Sequence, residues 1–336
     1  MKTTKSQKTD LIDDEKGEQE QEAQKALLKA FSGTLHHFFG GWMKLFRGVR
    51  DGRNPELIKY PLEGVLSTGV LMYLFRLGAR RQINYQLRGN SPSQAKFEAW
   101  FEVDEVPHGD TLNYAFRRIA PAEVQEVVCR MVATLIRKKV LYRWRLYGNF
   151  LVAIDDTGVL TFQDRHCEYC LTRKLNNGQT LYYHPVLEAK LVTANGFAFS
   201  LMTEFIENTD PQADKQDCEL KAFYRLPHLP ICLLLDGLFA GGPTFQLCRD
   251  YDWRYLITLQ DADLPQVHRT YELVRSQSPP HKQIRLGPQQ EITQELHWAR
   301  QITYRDSQDR HHDLNVLVCK ESRPTCRGDP STTTFK

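Results

Sequence analysis

Two carboxylates in this chain of 336 residues stand where metal chemistry can be done. Phe150–Ile154 is an apolar run that ends at Asp155, and Ile231–Leu235 is a second that ends at Asp236. Short apolar runs bounded by polar residues read as buried strands. An aspartate at the carboxyl end of such a strand is held rigidly beside a crevice, where an ionised group is costly unless something compensates it. Two of them on adjacent strands can share divalent cations, which in two-metal sites lie roughly 3.5–4 Å apart and stabilise the attacking and leaving oxygens of phosphoryl transfer. The same residues also suit strand-end caps or turns, as Asp236-Gly237 does. Asp156 adds charge beside Asp155 and is a competing ligand. Asp155 is preferred because it continues the buried face of its strand.

A second group of donors is softer. Cys167-Glu168-Tyr169-Cys170 has the two-residue spacing of half a zinc knuckle, with His166 beside it and His184 downstream. A structural zinc takes four ligands, and no second Cys pair follows at the usual spacing, so two small loop residues are the competing reading. The adjacent pairs His36-His37 and His311-His312 cannot both face one side of an element and read as surface. The eight cysteines are scattered behind a polar N-terminus without a signal peptide, which points to reduced thiols in a cytosol.

The elements that position these residues follow from periodicity. Residues 1–25 are polar and read as a disordered tail. From Ala26 to Tyr147 the pattern is helical: Leu27, Leu28, Phe31, Leu35, Phe38, Phe39, Trp42 and Phe46 recur at three- and four-residue spacing. Ser91-Pro92 and Asp110-Thr111 open helices, Val124 to Leu135 line one face of a longer one, and Val65–Phe75 is too short for a membrane span of roughly 20 residues. The period then changes to two. Tyr183–Thr193 and Phe197–Ile206 form a hairpin through Asn195-Gly196, Asp214–Leu226 reads as a helix, and a further helix after Gly241-Gly242-Pro243 leads to a strand at Arg254–Leu259. Gln290–Tyr304 and Leu314–Lys320 read as strands of a β-rich extension, with another starting near Thr332. The fold class expected is α/β, a mixed sheet with flanking helices.

Charge separates the two halves. The net charge is +3, but residues 1–150 carry 24 basic and 17 acidic side chains, a net of +7, whereas residues 151–336 carry 20 and 24, a net of −4. One basic cluster includes Arg47, Arg50, Arg80 and Arg81, and another Arg117, Arg118, Arg137, Lys138 and Lys139. A helical, basic half before an acidic one suits a polyanion-binding module joined to a carboxylate-bearing one, and solvated helix faces are the competing reading. Trp100, Tyr114, Phe116, Tyr142, Trp144 and Tyr147 lie among the second cluster, where stacking on bases competes with core packing.

Taken together, Leu151-Val152-Ala153-Ile154-Asp155-Asp156-Thr157-Gly158, the Cys167/Cys170 pair, Tyr182-Tyr183-His184-Pro185, Asp217-Cys218-Glu219, Asp236-Gly237 with Gly242-Pro243, and Val106-Pro107-His108 with Asp110-Thr111-Leu112 resemble DDE transposases of bacterial insertion sequences, the IS-four-like group. The resemblance spans roughly residues 30–336. It implies a helical DNA-binding domain at 26–147, a ribonuclease-H-like core beginning at 148–262, and a partial β-rich insertion at 263–336. It makes Asp155 and Asp236 the first two catalytic acids, binding Mg2+ or Mn2+ for DNA cleavage and strand transfer. It implies double-stranded DNA partners (terminal inverted repeats and target DNA), a homodimer in a synaptic complex, and a bacterial cytoplasmic location without a membrane. Two departures stand out. The family usually has Gly where Asp156 stands. Its third acid, a Glu in a Tyr-x2-Arg-x3-Glu-x6-Lys helix, has no counterpart before the chain ends, and Glu291 and Glu295 lie in insertion strand. Such a chain is expected to bind metal weakly and to be inactive. The alternatives are a non-catalytic DNA-binding remnant, or an unrelated two-metal nuclease using Glu188, Glu204 or Glu219.

Overall fold

The computed structural model describes residues 22–23, 25–88, 98–99, 105–206, 229–260, 262–275, 280–286, 291–323 and 331–335. The readings at residues 1–21, Ser91-Pro92, Trp100, Asp214–Leu226, Asp217-Cys218-Glu219 and Glu219 therefore lie outside the described residues. The chain divides into two compact units, residues 1–140 and 141–336. The division falls seven residues before the boundary expected at 147. Among the described residues no helix is long and apolar enough to cross a membrane.

The first unit is helical throughout its described elements. Its helices are α1 (25–38), α2 (Met43–Arg47), α3 (Leu62–Leu74), α4 (Arg81–Gln86), α5 (Gly109–Phe116) and α6 (Pro121–Arg137). On α1 the expected face is real, since Leu28 and Leu35 are buried while Leu27 is exposed. The helix α3 buries residues on several sides, from Leu62 through Leu71, as an apolar stretch at the centre of a bundle must. The Val106-Pro107-His108 segment has a local purpose. His108 caps α5 by accepting from the Asp110 N–H at 3.2 Å, its Nε2 lies 2.8 Å from Asn84 Nδ2, and Asn84 Oδ1 accepts from Gly109 N–H at 3.0 Å. One motif therefore fixes the end of α4 against the start of α5.

The second unit holds two sheets. The first contains β1 (Phe150–Phe162), β2 (Leu171–Lys174), β3 (Thr180–Val192), β4 (Ala198–Phe205), β5 (Ile231–Asp236) and β6 (Arg254–Thr258), in the order β2-β3-β1-β5-β6 with β4 also paired to β3. Pairing is antiparallel from β4 through β3 to β1, and parallel from β1 through β5 to β6. The sheet is therefore mixed, with α7 (Gly242–Asp250) connecting its last two strands. The Asn195-Gly196 turn joins β3 to β4, with Gly196 at φ +87 and Thr193 exchanging backbone hydrogen bonds with Phe197 and Gly196.

After α8 (Pro265–Arg275) comes an antiparallel sheet of β7 (His281–Leu286), β8 (Glu291–Arg305), β9 (His311–Arg323) and β10 (Ser331–Phe335). The helix α8 and strand β7 were not expected from the sequence, because α8 is mostly exposed and both are rich in polar residues. Buried Val267 and Tyr271 of α8 pack with Phe245 of α7 and with Ala299, Ile302 and Leu314 of β8 and β9. At the β8–β9 turn, the buried Asp306 accepts from the N–H groups of Gln308 and Arg310 (2.9 Å each), from Arg310 Nε (2.7 Å), and meets His312 Nε2 at 3.0 Å. His312 is 2% exposed, which corrects the surface reading. Successive strand residues face opposite sides, so His311 is turned out and His312 in.

Candidate functional site

Strand β1 runs past Asp155, which corrects the expectation of a strand ending there. Its parallel pairing with β5 stops at Ala153 and Leu234, while its antiparallel pairing with β3 continues to Phe162. Asp155 thus stands where β1 parts from one neighbour and stays with the other. The continuation was hidden because Asp155–Thr161 is exposed and carries no buried alternation.

Two residues beyond the last parallel pair, Asp155 and Asp236 stand level on neighbouring strands, which lie about 4.8 Å apart in a sheet. Alternation puts Asp155 on the side of Leu151 and Ala153, and Asp236 on that of Cys232 and Leu234. Those are the half-buried positions of both strands, whereas Phe150, Val152, Ile154, Ile231, Leu233 and Leu235 are buried. The two carboxylates therefore share one face, but it is not the sealed one. The expectation that Asp155 continues the buried face is corrected, and Asp156 follows that parity instead. Every residue from Phe150 to Ile154 is apolar, so the sequence itself carried no parity.

Each acid is held locally. Asp155 Oδ1 accepts from Asp156 N–H at 2.8 Å, and Asp236 Oδ1 accepts from Leu238 N–H at 3.1 Å, capping the 3-10 turn Gly237–Phe239. Burial raises the Asp236 carboxyl above the ordinary aspartate range; the Leu238 N–H opposes this, and the charges of Asp155, Asp156 and Asp263 raise it further. Asp263 was missed in the sequence because it lies in a polar loop after β6. Its Oδ2 accepts from Gln260 N–H at 2.6 Å, and its carboxylate presses so closely on Gly237 that a β-carbon there would collide with it. The close approach explains a glycine directly after the second acid.

The other carboxylates weighed from sequence are placed as follows. Glu188 of β3 pairs with Asp155 across the ladder, so both side chains project on one face, and it forms an ion pair with Lys190 at 2.9 Å. Glu204 on β4 is opposite Leu187. Glu291 and Glu295 lie on β8 in the other sheet, and Glu295 pairs with Lys282 at 3.7 Å.

The soft donors converge. Cys167 Sγ and Cys170 Sγ are 3.9 Å apart, and each is 3.3 Å from His184 Nε2. Among the described residues they form the one group of three metal-ligating side chains whose donor atoms all lie within 4.8 Å of one another. His166 is not part of it and stacks on Phe162, with ring centroids 4.4 Å apart.

In the first unit Arg50, Arg80, Arg81, Arg117, Arg118, Arg137, Lys138 and Lys139 are exposed. Arg47 pairs with Glu63 at 3.0 Å, and Lys138 Nζ donates to the Phe38 carbonyl at 2.7 Å. Tyr73 and Tyr85, 82% and 81% exposed, flank the Arg76–Arg81 stretch in sequence. None of Tyr114, Phe116, Tyr142, Trp144 and Tyr147 is buried. Arginines cover three of these rings: Arg118 lies 3.9 Å from Tyr114, Arg143 4.7 Å from Trp144 and Arg145 4.1 Å from Tyr142. Tyr142 also packs edge-on against buried Phe150, with ring centroids 5.7 Å apart, and Phe116 lies against Gly69, so the core-packing preference is corrected for Tyr114, Trp144 and the exposed Tyr147 alone.

No family model matches the chain, and no curated protein matches it. Among solved structures it is similar to a piggyBac transposase in a synaptic complex with hairpin DNA, determined by cryo-EM. The two are 10% identical with a TM-score of 0.36, over 82% of this chain and 59% of the other. The chain therefore spans about three fifths of the length of that protein.

Proposed function

We propose that the chain is a DNA-binding protein of the transposase type, related to the IS-four-like insertion-sequence group, whose Asp155 and Asp236 hold Mg2+ or Mn2+ for phosphodiester chemistry. The observation that carries this reading is the shared face: two aspartates on adjacent parallel strands, level with each other. Burial and the charges of three neighbouring carboxylates raise the second of them, against the opposing Leu238 N–H. Hard oxygen donors and accumulated negative charge suit a divalent cation of this class. Bound there, the ion supplies Lewis acidity at a scissile phosphate.

The chain's own residues do the rest. Asp155 and Asp236 fix the donors on rigid strands, and Asp263 adds charge on the same side. An antiparallel meander continued by parallel strands on the far side of β1 supports a ribonuclease-H-like core. The exposed arginines and lysines of the first unit bind DNA phosphates without reading sequence. Terminal inverted repeats are the DNA this reading names, with a homodimer holding two ends.

The test is Mn2+-dependent nicking of DNA carrying inverted ends, run with the parent chain and with Asp236→Ala. Products that depend on Asp236 support the reading, and equal products from both chains end the catalytic claim. A second reading, an unrelated two-metal nuclease, is favoured by one fact: Glu188 faces Asp155 across the ladder. Loss of nicking in Glu188→Gln, on DNA of any sequence, selects it.

A further inference from the structure

We propose that Cys167, Cys170 and His184 bind one zinc ion, and that this ion staples the arm of the first sheet that projects beyond Asp155. With zinc–sulfur bonds of about 2.3 Å and zinc–nitrogen bonds of about 2.0–2.1 Å, a tetrahedral ion needs sulfurs about 3.8 Å apart and each about 3.6 Å from the nitrogen. The separations here are 3.9, 3.3 and 3.3 Å. Hydrogen bonding alone accounts poorly for this triangle. One ring nitrogen carries one hydrogen or one lone pair, so it serves one sulfur well and not both. Two thiolates and an imidazole are soft donors that select zinc over Mg2+ or Mn2+.

The arm also needs such an ion. It comprises the outer part of β1, the connection to β2, β2 itself, and the start of β3. Of the thirty residues from Asp155 to His184, Cys170 is the one buried residue, with no exposed surface. A projecting set of three strands with no apolar core of its own resembles the small scaffolds that rely on a metal or disulfide. Strand register brings Cys170 level with His184, one step beyond the Leu171–Tyr183 pair, and the ion adds the tie from the loop at Cys167 to β3 that neither ladder makes. Binding free energy at such a site is folding free energy. Solvent takes the fourth position, since His166 is engaged with Phe162.

The experiment uses the full chain purified under reducing conditions. Metal analysis is expected to give close to one zinc per chain, retained in Cys129→Ser and lost in the double variant Cys167→Ser/Cys170→Ser. Chelation is expected to speed trypsin cleavage after Arg165, Arg173 and Lys174 of the arm at least several-fold, and added zinc to reverse it. Zinc below a tenth per chain in folded parent protein, zinc undiminished in the double variant, or a Cys167–Cys170 disulfide in place of zinc would each overturn the proposal. Should the double variant fail to fold, cobalt(II) replaces zinc in the parent chain. A sulfur-to-cobalt charge-transfer band then supports the site, and its absence overturns it.

Discussion

The two sets of candidate metal ligands belong to one sheet, His184 on β3 with Cys167 and Cys170 in the β1–β2 connection, and Asp155 on β1 with Asp236 on β5, yet they are built in opposite ways. Cys167, Cys170 and His184 converge within 4.8 Å on an exposed arm that has almost no core. Asp155 and Asp236 directly follow the buried, apolar stretches of β1 and β5, and their charges, with those of Asp156 and Asp263, act against one another. The difference follows from the charge of the donors. Thiols and an imidazole can be neutral, so they pack together on their own. Carboxylates repel, and what keeps them near each other is the sheet beneath them. The soft site is therefore held by its ligands, and the hard site by its scaffold.

That contrast can be broken most forcefully from below. Leu233 is fully buried in β5, on the face opposite Asp236. Leu233→Ala is expected to cost about 2–5 kcal/mol in urea unfolding and to weaken Mn2+ binding, while zinc content in native buffer stays unchanged. Parallel loss of both metals would show that the arm depends on the same core.

DNA binding should be separable from both sites. Replacing Arg137, Lys138 and Lys139 with alanine is expected to weaken DNA affinity about tenfold at moderate salt. It should also reduce the slope of log affinity against log salt by up to about 2.7, at roughly 0.9 per phosphate contact. Anisotropy titrations over a salt series measure this, and an unchanged slope would make the cluster a solvated face.

A smaller change tests the crowding at the acids. In Gly237→Ala the new β-carbon displaces the Asp263 carboxylate. Mn2+ affinity by paramagnetic resonance is expected to fall about tenfold, with zinc untouched. An unaltered affinity would remove Asp263 from the site.

The smallest effect is on stability. The Asp236 carboxyl is raised in the folded chain, chiefly by burial. Its favourable contribution is thus present at low pH and lost as pH rises through the raised value. In metal-free buffer Asp236→Asn should melt slightly higher than the parent near neutral pH, and the advantage should vanish as pH falls below the ordinary aspartate range. Asp306 behaves oppositely. Burial works against its ionised form, but His312, Arg310 and the surrounding N–H groups prevail and lower its carboxyl far below the usual range, so its contribution is present at neutral pH and lost in acid.

What the sequence revealed follows the same physics. Asp155 and Asp236 were legible because each ends an apolar run, and the Asn195-Gly196 turn because a tight hairpin demands those residues. The facing of Asp155 was not legible, since five consecutive apolar residues have no alternation. Nor was the outer half of β1, whose ladder is made by backbone groups while its side chains are solvated. The Cys-x2-Cys spacing was visible, but its third donor arrives through strand register, seventeen residues from Cys167. Asp263 and His312 gain their roles only from tertiary placement, the first against Gly237 and the second against Asp306.

The central claim is that Asp155 and Asp236 form one cation site. Mn2+ titration of the zinc-loaded chain by paramagnetic resonance tests it most directly, comparing the parent with Asp155→Asn and Asp236→Asn. Each substitution is expected to weaken binding by more than about 100-fold, given that even outer ligands of metal sites contribute 10–100-fold, with zinc content unchanged. Equal Mn2+ affinity in all three chains would contradict the account.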